Sequence, residues 1–108
     1  MTAVPEITPD QARKRLTEGA LLIDVREAHE RATGMAEGAL GIAKAELQAD
    51  PSAHLPSYDR ELILICQSGK RSLEAAQALV ELGYTHIASV HGGTTAWRAA
   101  GLPLVRPL

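Results

Sequence analysis

The sequence predicts an α/β fold: a small, mostly parallel central sheet of about five strands with helices on both faces. Three observations carry this reading. Leu21-Leu22-Ile23 and Leu62 to Ile65 are short continuous apolar runs, the pattern of strands covered on both faces. Leu62 to Ile65 is followed by an amphipathic helical pattern and then by another strand at Ile87 to Val90. Such strand–helix–strand crossovers are almost always right-handed, with the two strands parallel. The chain has 108 residues and no repeat at domain scale, which predicts one domain over residues 1–108 with a real core. Phenylalanine is absent, so that core is built from Leu, Ile, Val and Ala around one large ring, Trp97.

Composition narrows the function classes. A formal net charge of -2 makes no electrostatic case for nucleic acid or an anionic membrane as partner. A single cysteine excludes an internal disulfide. The opening segment, MTAVPEITPD, lacks the basic and apolar blocks of a signal peptide, and no apolar stretch approaches spanning length. The expectation is a soluble protein of a reducing cytoplasm. His54 has no cysteine or paired histidine at ligand spacing, so no metal site is expected.

Taken in order, Glu6-Ile7 reads as a short strand. Thr8-Pro9-Asp10-Gln11 is a strong helix start: Thr8 as N-cap, Pro9 as first helical residue, Gln11 completing a capping box. This helix turns Ala12 and Leu16 inward and stops at Gly19, while Arg13, Lys14 and Arg15 form a solvated face rather than a docking site. The strand Leu21–Ile23 ends at Asp24-Val25-Arg26-Glu27. Asp24 is expected to accept from loop N–H groups and Arg26 to pair with a carboxylate, fixing the loop beyond the strand; direct contact with a substrate is the alternative reading of this block. Glu27 to Ala32 reads as a short helix, with His29 exposed and idle. Leu40-Gly41-Ile42 suits a short strand, Lys44 to Gln48 a helical turn, and Asp50 to Asp59 a polar, proline-marked connection.

The chain is organised around the stretch from Leu62 to Gly83. The strand at Leu62–Ile65 ends in Cys66, and four residues, one of them Gly69, separate Cys66 from Arg71. A helix is expected from about Ser72, with Gly83 closing it. Lys70 and Arg71 stand where the helix dipole disfavours cations, by ~0.3–1 kcal/mol each. They make sense if the loop holds an anion cradled by its N–H groups. A cysteine there is expected to be more acidic than a free thiol, because the thiolate is the favoured anion. The plain alternative is a buried structural thiol; the neighbouring Gly69, Lys70 and Arg71 argue against it. After the strand at Ile87–Val90 comes His91-Gly92-Gly93; Thr94 or Thr95 is expected to cap a last helix through Trp97 to Ala100, ended by Gly101 and Pro103. Trp97 reads as core. Strands ending at Asp24, Cys66 and His91 place three loops at one edge of the sheet, where open parallel sheets form their sites.

Cys66-Gln67-Ser68-Gly69-Lys70-Arg71-Ser72 resembles the active loop of the rhodanese family of sulfurtransferases. The strand into Asp24-Val25-Arg26 and the Gly92-Gly93 turn before Ala96-Trp97 match that family too, and the likeness runs from about Glu6 to Pro103. Thr33 to Ala39 departs from it: Met35, Ala36 and Glu37 stand where the family usually has histidine, isoleucine and proline. The resemblance implies a rhodanese-like fold and a Cys66 persulfide, formed from a small anionic donor such as thiosulfate and passed to a thiol, a protein or cyanide. It implies that residues 67 to 72 stabilise the charge, that Lys70 and Arg71 draw in the donor, and that Asp24, Arg26, Gly92 and Gly93 support the loop. His91 is a candidate for tuning Cys66, a second hydrogen-bond layer or no role being the plainer readings. No metal or organic cofactor is implied. Two other readings stay open. One is a rhodanese-like module that binds a protein without catalysis, against which Cys66 argues. The other is a cysteine phosphatase or arsenate reductase, whose cradle has one residue more between cysteine and arginine.

Overall fold

The structure, a computed structural model, describes residues 3–107. The central sheet has five strands: β1 (Glu6–Ile7), β2 (Leu21–Asp24), β4 (Ala39–Gly41), β5 (Leu62–Ile65) and β6 (Ile87–Val90). Their spatial order is β1-β6-β5-β2-β4, and every neighbouring pair is parallel. The central strand β5 explains its own composition. Its four residues are all buried, with Leu62 and Leu64 joining one core cluster and Ile63 and Ile65 the other. Alternate side chains leave opposite faces of a strand, so a strand covered on both sides must be apolar throughout.

Helices cover both faces. The first cluster packs Leu62 and Leu64 with Ile23, Val25, Leu47 and the inner face of α5 (Lys70–Glu81), namely Ala75, Ala76 and Leu79. α3 (Lys44–Ala49) supplies Leu47 on this side. The second cluster packs Ile63 and Ile65 with Leu22 and Val90, with Ala12 of α1 (Pro9–Thr17), and with Trp97 of α6 (Gly93–Ala99). Trp97 is fully buried, and its indole N–H donates to the Pro103 carbonyl at 2.9 Å, so the ring is core as expected. α1 starts as predicted: the Thr8 hydroxyl accepts from the Gln11 N–H at 3.1 Å, and the Gln11 side chain accepts from the Thr8 N–H at 2.9 Å.

Several expectations are corrected. α5 begins at Lys70 rather than Ser72, with Gly69 as its N-cap. α6 begins at Gly93 with Gly92 as N-cap, so neither Thr94 nor Thr95 caps it. The short helix after β2 is α2 (Ala28–Arg31), and the polar connection contains one turn, α4 (Pro51–His54). A second sheet was not foreseen: β3 (Met35–Ala36) pairs antiparallel with β7 (Leu104–Val105). It is formed by the segment that departs from the usual family pattern. Met35 and Ala36 are both buried, so these two residues close a flank of the core, while Glu37 is exposed and pairs with Arg13. Among the described residues no helix is long and apolar enough to cross a membrane.

Candidate active site

Register sets the site. Asp24 of β2 lies beside Ile65 of β5, and Leu64 of β5 lies beside Ser89 of β6. The loops that follow the three strands therefore leave the sheet at one level. Cys66 opens the middle loop and is buried. Its sulfur accepts a hydrogen bond from the Gly69 N–H at 3.1 Å, and the Ser72 hydroxyl stands 3.4 Å away. Ser72 is fully buried, and its oxygen lies 2.8 Å from the Ser89 hydroxyl and 3.2 Å from the Gly69 carbonyl. When Ser89 donates to Ser72, the single Ser72 proton is available to the sulfur. Burial pushes the Cys66 thiol up, because a thiolate loses hydration there. The Ser72 hydroxyl and the N–H groups of Ser72, Gly69 and Ser68 outweigh this, and the net shift is downward. The loop thus favours the anion through hydrogen bonds: its N–H groups act as the sequence reading expected, and the Ser72 hydroxyl, which that reading did not foresee as a donor, adds to them.

The N–H groups face the sulfur because the loop's carbonyls are tied down outside it. The Cys66 carbonyl accepts from the Thr94 N–H at 2.8 Å and from the Thr94 hydroxyl at 2.9 Å. The Gln67 carbonyl accepts from the Thr95 N–H at 3.1 Å. Gly93 makes this strap possible: a Cβ at this position would stand 2.6 Å from the Gln67 oxygen and against that of Cys66. Gly92 borders Gly69 in turn, its nitrogen lying 3.2 Å from where a Gly69 Cβ would be. Thr94 escaped the sequence reading, where a threonine after Gly-Gly reads as a helix cap.

Asp24 and Arg26 form a buried pair that supports the same loop. The guanidinium bonds both Asp24 oxygens, at 2.9–3.1 Å, and donates to the Gly34 carbonyl at 2.7 Å. Its remaining Nη1 donates to the Gln67 side-chain oxygen at 3.0 Å, and the Gln67 amide nitrogen donates to the Thr95 hydroxyl at 2.9 Å. Asp24 also accepts from the Arg26 N–H at 3.0 Å, the loop bond expected of it. The carboxylate that pairs with Arg26 is thus its near neighbour in sequence.

One expected role changes, that of Arg71. Both Arg71 end nitrogens bond the Glu30 carboxylate at 2.7 Å, so its charge is compensated and its fork occupied. This bidentate bond holds Glu30 down at about 2 against desolvation, and Glu30 correspondingly raises Arg71. Lys70 is exposed and has no ion-pair partner among the described residues. His91 does not touch Cys66: its side chain is 76% exposed and its Nδ1 lies 3.4 Å from Glu6. It follows the last strand residue and turns to solvent. Glu30 was also unforeseen, lying 41 residues from its partner. Among the described residues no group of three or more His, Cys, Asp or Glu side chains is placed to hold a metal ion.

Known proteins resemble this chain in sequence and fold. A family model described as Rhodanese-like domain matches residues 8–100. A sulfurtransferase from Allochromatium vinosum is 37% identical over 106 residues, covering 96% of this chain and 97% of that protein. The human thiosulfate:glutathione sulfurtransferase is 36% identical over 110 residues, covering 90% of this chain and 96% of its own. The structure of the human single-domain sulfurtransferase TSTD1 matches with a TM-score of 0.80 at 34% identity, over 90% of this chain and 97% of that one. With such a match across nearly all of its length, and a cysteine loop at the carboxyl edge of a parallel sheet, the chain belongs to the rhodanese-like domain family.

Proposed function

We propose that the chain is a rhodanese-type sulfurtransferase that carries sulfane sulfur on Cys66. The observation that carries this is the Cys66 sulfur held by the Gly69 N–H and the Ser72 hydroxyl, with its acidity raised in a buried loop. The names of relatives at 36–37% identity, a sulfurtransferase and a thiosulfate:glutathione sulfurtransferase, support the same reading. The donor is a small anion such as thiosulfate. The Cys66 thiolate attacks its outer sulfur, a Cys66–sulfur bond forms, and the bond to the sulfonate breaks with its electron pair, releasing sulfite. The persulfide anion then sits where N–H groups already point, as in an oxyanion hole. Lys70 supplies positive charge at the loop. The Arg71–Glu30 pair shapes its flank, with the Arg71 fork engaged by the Glu30 carboxylate. A thiol, or cyanide in an assay, then removes the outer sulfur and restores the thiolate, which gives ping-pong kinetics. A phosphatase reading is disfavoured by the four-residue spacing to Arg71 and by that residue's engagement with Glu30.

Intact mass before and after thiosulfate tests this directly. The wild-type protein is expected to gain one sulfur atom, cyanide to remove it, and Cys66→Ser to gain none. No gain on a folded protein with a free thiol would reject thiosulfate as donor and shift the weight to a binding module.

The acidity of Cys66 has a measurable consequence. Its pKa is depressed, so the reactive thiolate persists above that lowered value and is lost as pH falls through it. The rate of persulfide loading should therefore rise with pH along a limb below that of a free thiol, then level off. Ser72→Ala removes a donor to the anion and moves the limb to higher pH. Loading at mildly acidic pH should slow roughly tenfold, the scale of one hydrogen bond to a charged group, while the alkaline plateau changes less. Stopped-flow loading across pH reads both effects, and an unmoved limb would exclude Ser72 from activating the thiol.

A further inference from the structure

Ser89 is the one polar residue of β6, and it is fully buried between Ala88 and Val90. A hydroxyl taken out of water without a partner is costly. Among the described residues the Ser89 hydroxyl has a single hydrogen-bond partner, the Ser72 oxygen at 2.8 Å. That oxygen also stands 3.2 Å from the Gly69 carbonyl and 3.4 Å from the Cys66 sulfur, both acceptors. Each hydroxyl carries one proton, and these contacts fix where the two go. If Ser72 gave its proton to Ser89, the Ser89 proton would be buried with no acceptor among the described residues. Ser89 therefore donates, which leaves the Ser72 proton for the carbonyl or the sulfur. Charge decides between them, because a hydrogen bond to an ionised acceptor is roughly twice as strong as a neutral one. A thiolate draws the proton, and the Gly69 carbonyl still accepts from the Leu73 N–H at 3.1 Å.

We infer that Ser89 is a positioning residue for the transfer: by donating to Ser72 it commits the Ser72 proton to the Cys66 sulfur whenever that sulfur carries the negative charge. This rests on the sulfur-transfer function proposed above. The charge moves during that cycle. In the free thiolate it sits on the Cys66 sulfur. In the persulfide it sits on the outer sulfur, and the Cys66 sulfur, bonded to carbon and to sulfur, is neutral. On discharge, cyanide carbon bonds the outer sulfur, the sulfur–sulfur bond breaks, and its electron pair returns to Cys66 as thiocyanate leaves. The Ser72 proton turns from the Gly69 carbonyl to the Cys66 sulfur as that charge arrives. The two hydroxyls thus act on Cys66 as a leaving group as well as on its acidity. The charged groups of the surrounding elements are the Arg71–Glu30 pair of α5 and α2, exposed Lys70, the Asp24–Arg26 pair beyond β2, and His91 beside Glu6. None of them hydrogen-bonds to Ser89, so a change at Ser89 leaves them in place.

Ser89→Ala, compared with Ser72→Ala and the double variant, tests this. Alanine suits a buried strand position, and the Ser72 hydroxyl keeps the Gly69 carbonyl as an acceptor, so the variant is expected to fold. The readouts are Cys66 alkylation by iodoacetamide across pH, persulfide loading from thiosulfate across pH, and discharge of the loaded protein by cyanide at one pH. In Ser89→Ala the alkylation limb should move to higher pH, with the rate on its acidic side roughly threefold lower, within the range of one neutral hydrogen bond. Discharge should slow by a similar factor, because a less acidic thiol is a poorer leaving group. The alkaline plateau of loading should not fall, because the thiolate of a less acidic thiol is the better nucleophile. A packing defect would instead lower all these rates together. Added to Ser72→Ala, Ser89→Ala should change nothing further, since its effect passes through the Ser72 hydroxyl. An unmoved alkylation limb, an unchanged discharge, a loading plateau that falls in step with discharge, or a further loss in the double variant would overturn the role. If Cys66 never accepts sulfur, the transfer function fails on its own account. Alkylation then decides the hydroxyl pair separately: a limb shifted by Ser89→Ala, and not further in the double variant, upholds it, and any other result overturns it.

Discussion

Asp24→Ala is expected to destabilise the protein by about 3–5 kcal/mol, the usual cost of removing one partner from a buried ion pair. Asp24 is 0% exposed and Arg26 2%. The variant would leave the guanidinium in the interior with only the Gly34 carbonyl and the Gln67 side chain as acceptors. The penalty is that of an uncompensated buried charge rather than of one lost hydrogen bond. Against a typical domain stability of ~5–15 kcal/mol this is a large fraction, and the urea midpoint should fall accordingly. Asp24→Asn keeps an oxygen for the Arg26 N–H and should cost less. The pair also decides between two roles for the Asp24-Val25-Arg26 block. A structural pair predicts that stability falls first and that loading slows only as far as Gln67 loses its clamp. A variant of normal stability that no longer takes up sulfur from thiosulfate would instead assign Arg26 to the donor.

Legibility in the sequence tracks physical range. β5 could be read because burial on both faces demands an unbroken apolar run, and Leu62 to Ile65 supply it. α1 could be read because Thr8, Pro9 and Gln11 act within one turn. The Cys66 loop could be read because thiol, glycine and helix start are adjacent in the chain. The Arg71–Glu30 pair could not: opposite charges 41 residues apart carry no local mark, and Arg71 beside a cysteine reads as a donor ligand. β3 and β7 were hidden for another reason, since each is two residues long and the partner that makes it a strand lies far along the chain. His91 shows the limit of placement by topology. The end of β6 brings it to the right edge of the sheet, yet its ring faces solvent and Glu6.

Gly93→Ala should disable the cysteine cradle while sparing most of the fold. Gly93 has φ +58°, a left-handed conformation that costs an alanine about 1–2 kcal/mol on its own. Gly101, at φ +76°, carries a similar backbone cost, but a Cβ there meets nothing within 4 Å. Gly101→Ala therefore calibrates the backbone term, with expected sulfur loading near that of wild type. At Gly93 the new methyl meets the Cys66 and Gln67 carbonyls, both backbone atoms that no rotamer change can move aside. α6 and the loop must part, which breaks the bonds from Thr94 and Thr95 that hold those carbonyls outward. Freed carbonyls can turn toward the sulfur, replacing donors with acceptors around an anion. A displacement of about 1 Å at a reacting group can cost on the order of 100-fold in rate, and that is the expected fall in persulfide loading. The Cys66 acidity should fall as well, so its alkylation by iodoacetamide should need a higher pH than in Gly101→Ala. Full loading in Gly93→Ala, with only the stability loss that Gly101→Ala also shows, would mean that the N–H ring holds its shape without α6, and the strap would lose its part in placing the sulfur.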